Sequence, residues 1–291
     1  MEITILGTGT PLPSNDRCGG AQLITSGDDA IVIDMGWGAA RRLIASGFPL
    51  ARVNAIFFTH MHSDHITDLP DLMIMRWTMG ATQPLVIYGP EGTRQMADGF
   101  HSALQADIGY RFAHHGEKLS REGIAYEVHE VPATKEARHI ADVGGISVSS
   151  FEVDHWPVAP AFGFKVEAGG KTAVFSGDTK KVQSLVDAAR GADVLVSEAV
   201  NAGFMMDRVN LLRSRGDERT AGILVEAIDY HVQPHEVAEM ARDAGVKRVI
   251  ITHLLPPIAN DDGLEARFIE GMSEIYGGPI EVARDLQKFV V

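Results

Sequence analysis

The stretch FFTHMHSDH, residues 57–65, holds three imidazoles and a carboxylate, those of His60, His62, Asp64 and His65. Side chains two residues apart on an extended chain point to the same side, so His60, His62 and Asp64 can converge on one point. His65 breaks that parity and joins them only if the chain turns there. A buried cluster of this kind needs partners for each polar group. A divalent cation held by nitrogen and oxygen donors supplies them, and zinc suits that donor set. The chemistry in view is metal-assisted hydrolysis, with no nucleophilic side chain of the protein's own.

Further donors stand directly after apolar runs elsewhere in the chain: Asp154-His155, then Ser176-Gly177-Asp178-Thr179, then Thr252-His253. Loops at one rim of a sheet would gather such residues around a common site. The elements that must position them are legible as short β-branched runs at residues 3–6, 22–25, 30–33, 53–59, 85–88, 146–153, 162–166, 172–176, 194–197 and 249–252. Amphipathic stretches at 39–46, 93–104, 181–189 and 234–244 read as helices. Asp68 and Pro70 suit the cap and first turn of another helix running through Met73 to Met79. The polar, glycine-punctuated segment 116–145 reads as loops and short strands. Gly7 and Gly9 either let the backbone approach the metal loop or make a tight turn, and the turn is the expectation. The pattern predicts one α/β domain, 1–291, of two similar halves, about 1–165 and 166–291, with sheets inside and helices outside.

Composition narrows the field. The net charge of −13 argues against a broad basic surface for nucleic acid or anionic lipid. Cys18 is the single cysteine, so a disulfide framework and thiolate-only metal sites are excluded. No apolar run approaches the roughly 20 residues of a membrane-spanning helix. The opening MEITILGTGTPLPS lacks the basic and long apolar regions of a signal peptide, which makes the cytoplasm the expected location.

Taken together, LGTGTPLPS, VIDMGWG (32–38), THMHSDH, VDH (153–155), FSGDT (175–179) and ITH (251–253) closely resemble the metallo-β-lactamase superfamily, nearly end to end. The resemblance implies a four-layer αβ/βα sandwich with two zinc ions between its halves, iron or manganese being possible substitutes. It implies His60, His62 and His155 as ligands of one ion, Asp64, His65 and His253 as ligands of the other, and Asp178 as the bridge. Asp34 resembles the residue that orients the metal loop.

Within the superfamily the chain is similar to the branch of ribonuclease Z and the zinc-dependent arylsulfatases. His231 stands where ribonuclease Z enzymes carry a histidine that protonates the leaving group, and Asp64 would hold and deprotonate the attacking water, which makes these two the catalytic candidates. Three features point away from transfer RNA: Trp37 in place of a glutamate, Ser63 in the metal loop, and a direct passage through residues 164–171 with no RNA-binding arm. The expectation is therefore an arylsulfatase-like hydrolase of small sulfate, phosphodiester or carboxylic esters. Trp37, Trp77, Trp156, Phe162, Phe204 and Met205-Met206 would line its pocket. A ribonuclease Z-like endonuclease, a hydrolytic dehalogenase of chlorinated aromatics and a non-hydrolytic or redox di-iron protein are the alternatives. The resemblance also implies a homodimer acting on a small molecule, away from membranes.

Overall fold

A computed structural model describes residues 1–291. Fourteen strands form two seven-stranded sheets. They are β1 Glu2–Gly7, β2 Ala21–Ser26, β3 Asp29–Ile33, β4 Ala55–Phe57, β5 Leu85–Gly89, β6 Tyr126–Glu130, β7 Arg138–Val143, β8 Ile146–His155, β9 Val158–Ala168, β10 Lys171–Phe175, β11 Val194–Val200, β12 Val249–Leu255, β13 Ile280–Val282 and β14 Lys288–Val290. The first sheet runs β14-β1-β2-β3-β4-β5-β6 and the second β7-β8-β9-β10-β11-β12-β13. Each reads as three antiparallel pairings followed by three parallel ones.

Alternation along the strands builds the layers. Ile31 and Ile33 of β3 face a core shared with Phe164, Phe175 and Val196 of the second sheet, while Ala30 and Val32 face helices. In β10 and β11 the same division holds: Ala173, Phe175, Val194 and Val196 enter the shared core, whereas Val174 and Leu195 pack on helices. Strands covered on both faces must be hydrophobic at every position, which is why these runs do not alternate in polarity. The result is the four-layer sandwich that the resemblance implies.

The expected division near residue 165 falls inside β9. The sheets change over between Glu130 and Arg138, and β14 returns from the far end of the chain to pair with β1. Beyond the ten inner strands, β6 and β7 are short strands of the segment 116–145, while β13 and β14 were not announced, and all four lie at the edges of the sheets. Their residues are half-exposed and polar, or only three in number, so the apolar run that marks an inner strand is missing. The helices Ala202–Ser214 and Glu218–Ala227 were likewise unmarked, although Asn201 and Asp217 accept backbone N–H bonds as their N-caps. The helix from Thr93 continues to His115, well past residue 104, with few buried residues in its later turns.

Candidate metal centre

The carboxyl ends of β3, β4, β8, β10, β11 and β12 open onto one rim, as in other open α/β sheets where ligands sit beyond the strand ends. Two backbone bonds tie the sheets together there, Phe162 N–H to the Thr59 carbonyl (2.9 Å) and Leu254 N–H to the Thr8 carbonyl (3.0 Å). After β4 the chain bends at Thr59, is extended at His62 and then makes the four-residue helix Ser63–Ile66. That helical turn is what rotates His65 into the cluster despite its parity. The helix Leu69–Thr78 follows, with Pro70 in its first turn.

Two of the three non-glycine residues with left-handed backbone lie at this rim, Asp34 (φ 58°) and His253 (φ 44°). Strain of that sort persists where surrounding structure over-determines it, and it clusters at functional sites. In the β11–β12 pairing Glu198 faces Thr252 and Ala199 faces Leu254, so His253 is the extra residue of a bulge, which aims its ring inward. Gly7 and Gly9 do not make the expected turn. A Cβ on either would collide with the backbone of residues 17–19, and one on Gly36 would strike the Asp64 carbonyl, so close backbone layers brace the metal loop from behind.

The seven predicted donors fall in two groups, and Asp178 also groups with Glu198, His231 and His253. His60, His62, His155 and Asp178 make the first, and Asp64, His65 and His253 make the second. In the first, His60 Nε2 lies 3.1 Å and His155 Nε2 3.3 Å from His62 Nδ1. Asp178 Oδ2 is 3.8 Å from His60 Nε2 and 4.0 Å from His155 Nε2. In the second, Asp64 Oδ2 lies 3.6 Å from His65 Nε2 and 3.2 Å from His253 Nε2. The same Asp178 Oδ2 is 3.4 Å from each of those two nitrogens. Ligands at about 2.0–2.1 Å from a tetrahedral zinc are spaced by about 3.3 Å, which these separations approach.

Hydrogen bonds fix which nitrogens face inward. His60 Nδ1 donates to Thr59 Oγ1 (3.0 Å), which donates to Asp34 Oδ2 (2.8 Å); His65 Nδ1 donates to the same oxygen (2.8 Å). His155 Nδ1 donates to the Tyr230 carbonyl (3.1 Å). Each leaves Nε2 free with its lone pair toward the centre. His65 Nε2 and Asp64 Oδ1 are buried without any hydrogen-bond partner. Such orphaned atoms inside a protein are costly unless something absent from the polypeptide satisfies them. The donor set and its orphans fit a divalent cation.

Electrostatics sort the same way. Burial, reinforced by neighbouring rings, drives His60 well below the ordinary histidine value and His155 down to about 4, so both are neutral and ready to donate. Burial also opposes protonation of His65, but Asp178, Asp64 and Asp34 outweigh it and carry His65 well above its ordinary value. The three carboxylates thus draw positive charge to the second group. Burial would raise Asp178, yet His253, His65 and His60 overcome it and hold its carboxyl well below the usual range.

Glu198 is a functional residue that sequence reasoning missed. Its Oε2 lies 2.6 Å from His231 Nδ1 and its Oε1 accepts from Thr179 N–H (2.5 Å). Burial, with the charge of Asp178, holds Glu198 well above the usual carboxyl range. A neutral Glu198 donates to Nδ1 of His231, a ring that burial keeps neutral, and so leaves its proton on Nε2. The signal was present: a lone acid inside the apolar run VLVSEAV, buried on both sides of a sheet, has no place there without a partner. His231 itself is buried, with Nδ1 4.0 Å from Asp178 Oδ2.

The expected aromatic pocket is not assembled. Trp77 and Phe162 are fully buried in separate cores and Met205 in a third, while Phe204 packs beside Phe268 with Arg267 over its ring. Met206 packs on the same third core, and half-buried Trp37 directs Nε1 toward the Thr10 carbonyl. Trp156 alone among them is strongly exposed.

Residues 30–254 match the beta-lactamase superfamily domain. A protein named Ribonuclease Z from Mycobacterium sp. (strain KMS) is 37% identical over 293 residues, covering 100% of this chain and 96% of that protein. Among solved structures, human tRNase Z, short form, aligns with a TM-score of 0.70 at 23% identity, covering 100% of this chain and 99% of the other. The metallo-β-lactamase fold protein YhfI from Bacillus subtilis aligns with a TM-score of 0.70 at 19% identity, covering 99% and 98%. These likenesses overturn the expected arylsulfatase-like hydrolase of small aromatic esters. The missing arm carried too much weight, because likeness to the mycobacterial protein extends over the whole of this chain. Net charge misled as well, since it reports nothing about the few residues that contact a phosphate chain.

Proposed function

Since the chain belongs to the beta-lactamase superfamily and to the family of the mycobacterial proteins named Ribonuclease Z, we propose that it is a metal-dependent phosphodiesterase that trims the 3′ ends of transfer-RNA precursors. The observation that carries the hydrolytic part is the position of Asp178 Oδ2, within 4.0 Å of ring nitrogens in both groups of donors. Full-length likeness to the ribonuclease Z relatives carries the choice of substrate. The same reading makes the protein a cytoplasmic homodimer.

In this reading His60, His62 and His155 would hold one cation and Asp64, His65 and His253 a second, with Asp178 Oδ2 close to nitrogens of both groups. Two zinc ions there would supply Lewis acidity at the phosphoryl oxygens and acidify the attacking water. Asp64, whose buried Oδ1 has no hydrogen-bond partner, would accept the proton of that water. As the phosphorus–oxygen bond breaks, His231 would give the proton on Nε2 to the leaving oxygen while its Nδ1 takes the proton of the Glu198 carboxyl, which ends as a carboxylate beside a neutral ring. Asp34 holds His65 directly and His60 through Thr59, so the metal loop is oriented from behind.

The test is cleavage of a precursor transfer RNA with an unpaired 3′ trailer by purified protein loaded with zinc. Cleavage at the end of the acceptor stem, lost with a chelator and with His62→Ala, is expected. Zinc-loaded protein that leaves the RNA intact would overturn the assignment.

A further inference from the structure

Tyr230 ends the single helical turn Ile228–Tyr230 and is followed directly by His231, the candidate general acid. Its carbonyl accepts from His155 Nδ1 (3.1 Å), so its backbone is tied to a predicted metal-ligand ring. Its own ring lies edge-on to that of His155, with 5.4 Å between centroids and 73° between planes, and 4.8 Å from that of His231. The three rings form one triangle, since those of His155 and His231 are 5.0 Å apart. Tyr230 also packs on the core of the helices Ala202–Ser214 and Glu218–Ala227, which fixes where the ring stands. The residue is nevertheless only half-buried, and no other residue bonds its hydroxyl. That hydroxyl lies close enough to Glu226, Asp178, Asp64 and Glu198 for their charges to act on it, and the last three belong to the metal centre.

Packing beside two imidazoles requires only a phenyl ring. A tyrosine hydroxyl in such a setting ordinarily finds a hydrogen-bond partner, and a phosphate seated at the metals brings acceptors to this place. A phenol is protonated at neutral pH and can donate to them. We propose that Tyr230 Oη donates a hydrogen bond to a non-bridging oxygen of the scissile phosphate, on the side where His231 meets the leaving oxygen. The inference rests on the phosphodiesterase reading of the metal centre and adds to it a residue in contact with the reacting group. A donor fixed in place beforehand stabilises the charge of the phosphoryl group as it reacts. A hydrogen bond to a charged acceptor is worth about ten- to a hundredfold in rate or affinity.

The experiment compares zinc-loaded native protein with Tyr230→Phe, which keeps the ring and deletes the hydroxyl. The substrate is a precursor transfer RNA whose scissile linkage is a normal phosphate or one or the other diastereomer of a phosphorothioate, sulfur being a poor hydrogen-bond acceptor. On the normal linkage Tyr230→Phe should lower kcat about ten- to a hundredfold. On the isomer that places sulfur opposite the hydroxyl the two proteins should differ by less than about twofold, while the other isomer behaves like the normal linkage. Bound zinc per chain stays native in the variant, and inorganic phosphate, titrated into both zinc-loaded proteins by calorimetry, binds it about tenfold more weakly. A variant that cleaves the normal linkage at the native rate, or loses equally on all three linkages, overturns the contact and leaves the assigned activity standing. If native protein cleaves no precursor, the RNA reading falls and the calorimetry decides alone: equal phosphate affinities, or no binding to either protein, overturn the contact as well.

Discussion

The two halves share one topology and use it differently. In the first, a single strand end supplies four donors, His60, His62, Asp64 and His65, on one loop and one helical turn. In the second, His155, Asp178, Glu198, His231 and His253 come from five separate places, among them a hairpin, a strand end, a strand interior and a bulge. The first half concentrates its chemistry where local chain geometry can arrange it. The second depends on the whole sheet being correctly formed. A contiguous cluster is tolerant of distant packing changes, whereas scattered donors are only as well placed as the core beneath them.

Asp178 is where the two arrangements meet, and its removal is the severest way to break the comparison. One oxygen lies within 3.4 Å to 4.0 Å of donors from both groups. Asp178→Ala should lower RNA cleavage on the order of ten-thousandfold and leave less than one tightly held metal per chain. Metal analysis beside single-turnover kinetics checks it. Two retained metals with near-native turnover would mean that the halves hold their cations independently.

Glu198 tests the second half's reliance on non-local support. Its two oxygens touch Thr179 N–H and His231 Nδ1, so it locks the ring from a strand far away in sequence. Glu198→Ala should lower kcat about a hundredfold with little change in bound metal, since a general acid out of position contributes little. Glu198→Gln can keep both contacts, its carbonyl on Thr179 and its amide on Nδ1, but has no proton to pass to the ring and should recover little of that loss. Near-native turnover in Glu198→Gln would assign Glu198 to positioning and not to proton transfer.

The difference between the halves also explains what could be read from the sequence. THMHSDH is visible because its donors are adjacent, and the ten inner strands are visible because burial on both faces demands unbroken apolar runs. Glu198 was missed because a single acid in such a run looks like the end of the strand, and its partner His231 is 33 residues further along the chain. The changeover of sheets at Glu130–Arg138 was missed because β6 and β7 are half-exposed, and polar alternation there resembles loop. The substrate was misjudged from local departures such as Trp37, which weigh less than similarity sustained over the whole chain.

The smallest expected effect concerns how each half steadies its ligands. Asp34 serves two first-half histidines at once, through the 2.8 Å bond from His65 Nδ1 and the Thr59 relay to His60. In the second half no carboxylate is hydrogen-bonded behind the predicted ligand rings: His155 leans on the Tyr230 carbonyl, and His253 Nδ1 has no hydrogen-bond partner, Glu198 Oε2 lying 3.9 Å away. Asparagine tolerates the left-handed backbone that Asp34 adopts, so Asp34→Asn removes the charge while leaving the turn in place. Metal affinity should fall about ten- to a hundredfold, the usual cost of losing such an orienting partner, with cleavage restored at high zinc. Competition with a chromogenic chelator measures the change. An unaltered affinity would mean that the metal loop is held by its backbone packing against Gly36 and not by Asp34, making the first half's advantage a matter of shape alone.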